Sequence, residues 1–242
     1  MVRKDDRGPA ELRPVKLTPG VNKYAEGSCM IEQGSTRVIC TASIEERVPP
    51  FLRDSGSGWV TAEYGMLPRA SDTRSPRPGL RGEMPARSLE IQRMIGRSLR
   101  SVVELEALGE RTITLDCDVL QADGGTRTAS ITGAFVALVA AVESLRRNRG
   151  LRKPVAITDQ VVAVSVGVVS GYDLLDLTYE EDRQASLDMN VVMNSKGELA
   201  EIQATAEGVP FPRSRLDSLL DVAQKGIAQL LAIQREAMKS IG

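Results

Sequence analysis

The 242-residue chain contains no histidine and only three cysteines. Without histidine, the chain cannot build a Ser-His-Asp triad, a Cys-His nucleophile or a histidine-ligated zinc site. Because Cys29, Cys40 and Cys117 are widely spaced, odd in number and set in alternating apolar runs, we expect buried free thiols. Any chemistry must therefore use carboxylates, arginine, lysine, tyrosine, hydroxyl groups or a hard metal ion.

Long apolar runs are also missing from the chain. The longest, residues 134–142, spans nine residues, whereas a helix that crosses a bilayer needs about 20. The amino terminus is charged and is not followed by an apolar segment, unlike a secretory signal. We therefore expect a soluble cytoplasmic protein with no membrane partner. A hydrophobic content of 42% is enough for the core of one large or two small domains.

The net charge of −1 conceals a strongly basic segment, which we call the arginine zone (residues 69–100). It has eight arginines, no lysine and three acidic residues, so its charge is 8 − 3 = +5. Arginine binds phosphate groups in a bidentate manner, and basic segments attract nucleic acid. The zone indicates a phosphate-rich ligand, although a solvated face used for solubility or for ion pairs between subunits is the commoner explanation among arbitrary proteins.

The hydrophobic pattern predicts two rounds of strands followed by a helix. Strands are predicted at residues 27–33, 36–43, 60–64, 112–119, 161–169, 174–179, 188–193 and 201–206. Helices are predicted at residues 87–109, at about 126–147 and at 214–240. The first 20 residues contain three prolines and predict an extended arm in which no catalytic residue is evident. The order of the predicted strands and helices is typical of an α+β or mixed α/β fold.

Residues 121–135 combine the features of an anion-binding seat. Gly124 and Gly125 follow a predicted strand, and the next predicted helix begins with Thr126 and Arg127. Free N–H groups at a helix start, a glycine that lets a ligand approach, a hydroxyl donor and a guanidinium group all favour phosphate, carboxylate or sulfate. On spacing alone, an ordinary turn in which Thr126 caps the helix and Arg127 is solvated is the commoner explanation.

The predicted helix at residues 87–109 is amphipathic. Its apolar positions fall on one arc, and Arg93, Arg97 and Arg100 form a stripe on the opposite side. Arg87 projects onto the apolar arc, where a charged group needs an anion or an acidic partner. Arg87 is therefore a better ligand candidate than its neighbours.

The densest acidic cluster of the chain is Glu180-Glu181-Asp182, which is followed by Asp188 where a loop is predicted to enter a strand. Two carboxylates that lie together can bind Mg²⁺, which prefers oxygen ligands and usually keeps several waters. Acidic loops before strands are usually only solvated, so the cluster alone is a weak signal for a metal site.

Four long stretches of the chain form one recognisable pattern. They are GWVTAEYGMLPR at 58–69, EIQRMIGRSLR at 90–100, the run at 113–133, and residues 175–182 with 188–193. In these stretches the chain resembles the ribonuclease PH family of phosphate-dependent 3′-to-5′ exoribonucleases. The resemblance implies one compact domain over residues 1–242, with an RNase PH-type fold of two similar two-layer β-α halves at about 1–150 and 151–242. It also implies a homo-hexamer assembled as a trimer of dimers.

The same resemblance implies site residues and ligands. Phosphate-binding positions fall on Arg87, Gly125, Thr126 and Arg127. The paired acidic positions for Mg²⁺ and catalysis fall on Asp182 and Asp188. Positions that guide the RNA 3′ end fall on Arg69, Arg77 and Arg93, with Arg74 and Arg97 as weaker additions. Ion pairs between subunits are an alternative for these guiding arginines. The implied partners are RNA, in particular tRNA precursors, and inorganic phosphate, but not DNA.

The chain departs from the family between residues 75 and 86. Members often have a Gly-Lys-Gln-Gly-Gly run before the phosphate-binding arginine, whereas this chain has Gly82-Glu-Met-Pro-Ala86. The local charge must therefore differ.

A non-catalytic RNA-binding ring subunit of an exosome-like assembly is the alternative function, and it is disfavoured because the phosphate-binding and acidic positions are both retained. An unrelated phosphate-binding protein would leave the arginine zone unexplained.

Overall fold

The computed structural model describes residues 3–77, 85–148 and 157–241, which form two β-sheets with helices packed on them. The first sheet contains β1 Val15–Pro19, β2 Gly27–Gln33, β3 Thr36–Glu45, β4 Trp59–Met66 and β5 Thr112–Gln121. The second contains β6 Val161–Val169, β7 Tyr172–Leu175, β8 Leu187–Asn194 and β9 Leu199–Ala206. The α-helices are α1 Ala86–Arg100, α2 Leu105–Leu108, α3 Thr126–Asn148, α4 Tyr179–Gln184 and α5 Arg213–Met238. This mixture of sheets and helices confirms the predicted fold class.

The first sheet has the order β1-β2-β3-β5-β4, and its neighbouring strands are antiparallel except for β4 and β5. Its side chains alternate as predicted, since Ile113, Leu115 and Cys117 are buried and the residues between them are partly exposed. Parallel neighbours need a crossover connection, which α1 supplies here. Strands β4 and β5 therefore end at the same edge of the sheet, where the predicted anion seat follows β5.

Helix α3 is the central element of the core, because it packs against β2 and β3 of the first sheet and against β6 of the second. This close packing requires a small residue at Gly133, where a Cβ atom would lie 2.9 Å from Ile31 Cγ2 and 3.0 Å from Cys40 Sγ. By length and composition Thr126–Arg147 could cross a membrane, but 78% of its apolar window is buried inside the protein, as in a core helix. The three cysteines are buried and free, as predicted.

The second sheet has the order β7-β6-β8-β9 and is antiparallel throughout. Strand β6 is buried at every position, because α3 and α5 both pack against it. This double burial explains its nearly continuous run of valine and alanine. Leu12, which precedes the first sheet, packs in the same apolar cluster as Leu219 and Leu230 of α5. The amino-terminal arm (residues 3–14) therefore lies on the second half of the chain.

The prediction of one continuous helix at residues 87–109 is wrong. Helix α1 ends at Arg100, and the chain runs through Val102 and Val103 before the short helix α2. Val103 forms an isolated β-bridge with Ile157, and two adjacent β-branched residues favour extended backbone over helix. The predicted stop is correct, since Gly109 follows α2 with a φ of 68°.

The strand predicted at residues 174–179 is also wrong beyond Leu175. Asp176 has a φ of 53°, in the left-handed region, so the chain turns out of the sheet there. Thr178 then caps α4 in a capping box, in which its side chain accepts from the Glu181 N–H and the Glu181 side chain accepts from the Thr178 N–H. The acidic cluster is thus a short helix before β8, and not a loop that enters a strand.

Candidate active site

The predicted anion seat is a turn that requires glycine at position 124 and favours it at position 125. Gly124 and Gly125 have φ angles of 74° and 67°, in the region that side chains disfavour. A Cβ atom on Gly124 would lie 2.4 Å from the carbonyl oxygen of Leu177, in the second half of the chain. Helix α3 begins directly after the turn, at Thr126, so its first N–H groups have no acceptor within the helix. The turn thereby offers donors to an anion.

Thr126 is linked to the neighbouring strand β4. The hydroxyl oxygen of Tyr64 lies 2.9 Å from Thr126 Oγ1. Tyr64 is 4% exposed, and burial raises its pKa above the ordinary value, although the hydrogen bond with Thr126 and the charges of Arg87 and Arg127 oppose that shift. Tyr64 is therefore a neutral phenol at physiological pH, at the edge where β4 and β5 end together.

The side chain of Arg127 is held in place rather than solvated, with 17% of it exposed. Its Nη1 donates to Gln203 Oε1 at 3.3 Å, and its Nη2 lies 4.0 Å from Glu90 Oε2. The Gln203 amide in turn donates to Glu90. The Nε of Arg127 is buried without a hydrogen-bond partner among the residues that the structure describes. A buried donor of this kind fits a bound anion.

The helical projection places Arg87 on the buried face of α1, and this prediction is wrong. The residue is exposed, and the buried face of the helix begins at Ile91. The first turn of α1 extends past the packed part of the helix, so Arg87 faces solvent. Its charge nevertheless acts on Tyr64, Asp182 and Asp188, as does the charge of Arg127. The two arginines therefore lie near the same acidic pair.

Asp182 of α4 and Asp188 of β8 are brought together by the short chain between them. Burial raises the pKa of both carboxyl groups, and the charge of Asp182 adds to the rise at Asp188, whose pKa is about 6. The charges of Arg127 and Arg87 act in the opposite direction. Two nearby carboxylates, one of which disfavours the charge of the other, fit a divalent cation between them.

The donor set limits what cation this pair could hold. Glu180 and Glu181 form ion pairs with Lys4 and Arg3 of the arm, so they are occupied. Over residues 3–77, 85–148 and 157–241, no group of three or more His, Cys, Asp or Glu side chains could hold a metal ion. Two carboxylates suit Mg²⁺ that keeps waters or substrate oxygens as its other ligands, and do not suit an all-protein cage.

The arginine zone divides into exposed and engaged residues. Arg69, Arg74, Arg77 and Arg93 are exposed and form no ion pair with another described residue. Arg97 forms a bidentate ion pair with Glu201 of β9. Residues 78–84, which include Arg81 and form most of the segment that departs from the family between residues 75 and 86, lie outside the described residues.

The side chain of Arg100 does not belong to the solvated stripe predicted on this helix. It donates to the Val60 carbonyl at 2.8 Å, and its guanidinium carbon lies 4.3 Å from the centre of the Trp59 ring. A cation over an aromatic ring is held by the charge distribution of that ring. Arg100 therefore fastens α1 to β4 and is a structural residue.

Sequence reasoning missed the residues that hold the glycine turn. Arg13 of the arm donates to the carbonyl oxygens of Asp123 and, at 3.4 Å, Gly124. Its guanidinium also binds the fully buried Asp176, with Nη2 to Oδ1 at 2.6 Å and Nε to Oδ2 at 3.0 Å. The Thr36 hydroxyl donates to the Gly124 carbonyl at 2.7 Å. The available signal was Asp176 itself, because a lone carboxylate within an apolar run needs a buried partner.

Comparisons with known proteins assign both halves of the chain to one family. Residues 11–142 match domain 1 of the 3′ exoribonuclease family, and residues 159–226 match domain 2. Ribonuclease PH of Syntrophomonas wolfei subsp. wolfei is 54% identical over 235 residues, which cover 97% of this chain and 98% of that protein.

Solved structures share the fold at low identity. Rice (Oryza sativa) Rrp46 has a TM-score of 0.80 and 18% identity, with 98% of this chain and 100% of that chain covered. A chain of the Archaeoglobus fulgidus exosome with RNA bound to the active site has a TM-score of 0.78 and 24% identity, with 95% and 91% covered. Because the family models match most of the residues and one relative is identical at more than half of them, the chain belongs to the 3′ exoribonuclease family, as the resemblance to ribonuclease PH implies.

Proposed function

We propose that the protein is a phosphate-dependent 3′-to-5′ exoribonuclease that trims the 3′ ends of RNA, in particular tRNA precursors. It transfers the terminal nucleotide to inorganic phosphate and releases a nucleoside diphosphate. The observation that carries this proposal is the glycine turn at the start of α3, beside which Arg127 keeps a buried Nε free of partners among the described residues. This seat suits a small tetrahedral anion as a co-substrate.

In this reaction the bound phosphate is the nucleophile. It attacks the terminal phosphodiester, and the 3′ oxygen of the shortened RNA leaves. Phosphate arrives already ionised, so the enzyme needs no histidine to activate it, in agreement with the composition. We assign Gly125, Thr126, Arg127 and Arg87 to hold phosphate in line with the scissile bond and to screen its charge from that of the RNA.

We assign Asp182 and Asp188 to hold Mg²⁺ near this phosphate. A bound Mg²⁺ would stabilise negative charge on the transferred phosphoryl group or the leaving oxygen. The support for this assignment is the proximity of the two carboxylates to each other and to both arginines, which the opposing pKa effects reflect.

The direct test is incubation with a 3′-extended tRNA precursor in the presence and absence of phosphate. We expect nucleoside diphosphates that appear only with phosphate. Nucleoside monophosphates released without phosphate would mean hydrolysis and would contradict the mechanism. RNA binding without any product would instead favour the alternative, a non-catalytic RNA-binding ring subunit.

The metal assignment predicts a shift in magnesium dependence. Replacing Asp182 with asparagine should raise the Mg²⁺ concentration for half-maximal activity by about tenfold or more, because a neutral amide is a weaker ligand. Titration of trimming activity with Mg²⁺ measures this shift. Glu180→Gln is the matched control, since Glu180 is in the same helix but pairs with Lys4. Equal effects of the two substitutions would exclude the assignment.

The RNA-guiding assignment predicts that alanine substitutions at Arg93 and Arg97 weaken RNA binding to different extents. Arg93→Ala should weaken RNA binding and reduce the slope of log K against log salt by about one, as expected for a lost phosphate contact. Arg97→Ala should have a smaller effect, because Glu201 already neutralises Arg97. Filter binding at several salt concentrations checks this order. A larger loss of RNA affinity for Arg97→Ala than for Arg93→Ala would contradict the assignment.

We further propose a homo-hexamer made of three dimers, acting in the cytoplasm. The support for an assembly is the family resemblance, together with exosome chains among the structures of the same fold. Strand β9 lies at the edge of its sheet and exposes Leu199 and Ile202, which suits a contact with another chain. Light scattering at working concentrations measures the mass, and a monomer would contradict the hexamer.

A further inference from the structure

We infer that Tyr64 is a positioning residue of the phosphate site: its hydroxyl donates to Thr126 Oγ1 and so leaves the Thr126 proton free for the bound phosphate. This inference rests on the proposed function, because it assumes that phosphate binds at the start of α3. It adds a residue of β4 that acts on the ligand through Thr126.

The fold places Tyr64 at this point. Strands β4 and β5 are parallel, and Tyr64 pairs with Cys117 four residues before β5 ends at Gln121. The tyrosine side chain is therefore carried to the edge where the glycine turn and the first residue of α3 lie. There its hydroxyl meets Thr126 Oγ1 at 2.9 Å.

The burial of Tyr64 decides the direction of this hydrogen bond. Each of the two hydroxyl groups has one proton to donate. Tyr64 is 4% exposed, and Thr126 Oγ1 is the hydrogen-bond partner of its hydroxyl within the described part of the chain. If Thr126 donated to Tyr64, the phenolic proton of this buried residue would have no acceptor among the described residues, which is unfavourable. Tyr64 is therefore the donor and Thr126 the acceptor.

Thr126 also differs from the next hydroxyl groups of its helix. The hydroxyl of Thr128 donates to the Gly125 carbonyl at 3.0 Å, and that of Ser130 donates to the Thr126 carbonyl at 2.8 Å. These protons are used within the helix. The Thr126 hydroxyl instead accepts from Tyr64, so its own proton can point to an oxyanion beside the free N–H groups of the first turn.

This arrangement makes Thr126 a fixed donor before the ligand arrives. A threonine hydroxyl without a partner rotates among several directions, and binding must then fix it. With Tyr64 in place, that orientation is set by a residue of the rigid sheet. The same seat would take inorganic phosphate during trimming and the terminal phosphate of a nucleoside diphosphate in the reverse reaction.

The test is Tyr64→Phe, which removes one oxygen atom and keeps the buried ring. We expect the KM for phosphate to rise about five- to tenfold, the worth of one net hydrogen bond. The KM for a nucleoside diphosphate in the reverse reaction should rise by a similar factor. The KM for RNA and the thermal unfolding midpoint should stay close to those of the unmodified protein. Tyr172→Phe, on an exposed phenol of β7, is the matched control and should change none of these values.

Two further measurements separate positioning from a general structural role. Thr126→Val removes the proposed donor, so adding Tyr64→Phe to it should cause little further loss, and fully additive effects would overturn the inference. Calorimetric titration with inorganic phosphate compares the unmodified protein with Tyr64→Phe without any RNA. Equal phosphate affinities would overturn the inference even if the unmodified protein trims RNA. Absence of nucleoside diphosphate products would instead contradict the proposed function, while this titration still decides the role of Tyr64.

Discussion

Replacing Arg127 with alanine is expected to lower the kcat/KM of phosphate-dependent trimming by about 10²–10³-fold, the usual cost of removing a preorganised donor from an anion site. The guanidinium is held by Gln203 and Glu90 and keeps a buried Nε that no described residue satisfies. Alanine would remove both the charge and the donors. RNA binding should change little, because the exposed arginines of the zone are unaffected.

The matched control for this substitution is Arg146→Ala. Arg146 lies near the other end of the same helix, where it is exposed and paired with Glu143. Product analysis with saturating and limiting phosphate, combined with filter binding of the same RNA, distinguishes loss of phosphate binding from loss of RNA binding. An equal loss of trimming and of RNA binding would show that Arg127 belongs to the RNA-binding surface.

Replacing Asp176 with asparagine is expected to lower the free energy of unfolding by about 3–5 kcal/mol, the range for a broken buried ion pair. Asp176 is fully buried and accepts hydrogen bonds from the Arg13 N–H at 2.8 Å and from Gln33 Nε2 at 2.8 Å, besides the Arg13 guanidinium. Arg7 lies 3.4 Å from the same carboxylate. Asparagine would leave two buried guanidinium groups without their shared counter-ion and would turn one acceptor into a donor.

Asp173→Asn is the control for this prediction. Asp173 lies three residues earlier and pairs with Arg215, but both side chains are partly exposed. Its loss should cost at most about 1 kcal/mol, as for other surface pairs. Urea unfolding followed by circular dichroism measures both variants. If the two substitutions cost the same, the buried network around Asp176 does not stabilise the fold as described.

Local patterns were sufficient to predict most of the elements. Alternation in β2, β3 and β5, the valine run of β6 and the apolar run of α3 each have one dominant period, so their type is set by nearby residues. The glycine turn was also predictable, because Gly124 and Gly125 interrupt a strand before a helix. The roles of the site residues remain predictions that the experiments above test.

The errors arose where a distant partner overrides the local pattern. Arg87 projects onto an apolar arc, yet the end of α1 extends past the core that would bury it. Val102 and Val103 interrupt a helical period because Ile157 pairs with the chain there. Arg13 and Asp176 are 163 positions apart in the sequence, and no spacing rule connects them.

The bond between Arg13 and Asp176 has a consequence for synthesis of the protein. A ribosome makes the chain from its amino terminus, so the glycine turn emerges before Asp176 and Leu177 exist. Until then Arg13 lacks its buried counter-ion, and Gly124 lacks the Leu177 carbonyl against which it packs. The nascent chain therefore cannot hold the phosphate seat in its final shape. The phosphate seat therefore becomes competent only after the segment that contains Asp176 and Leu177 has been made.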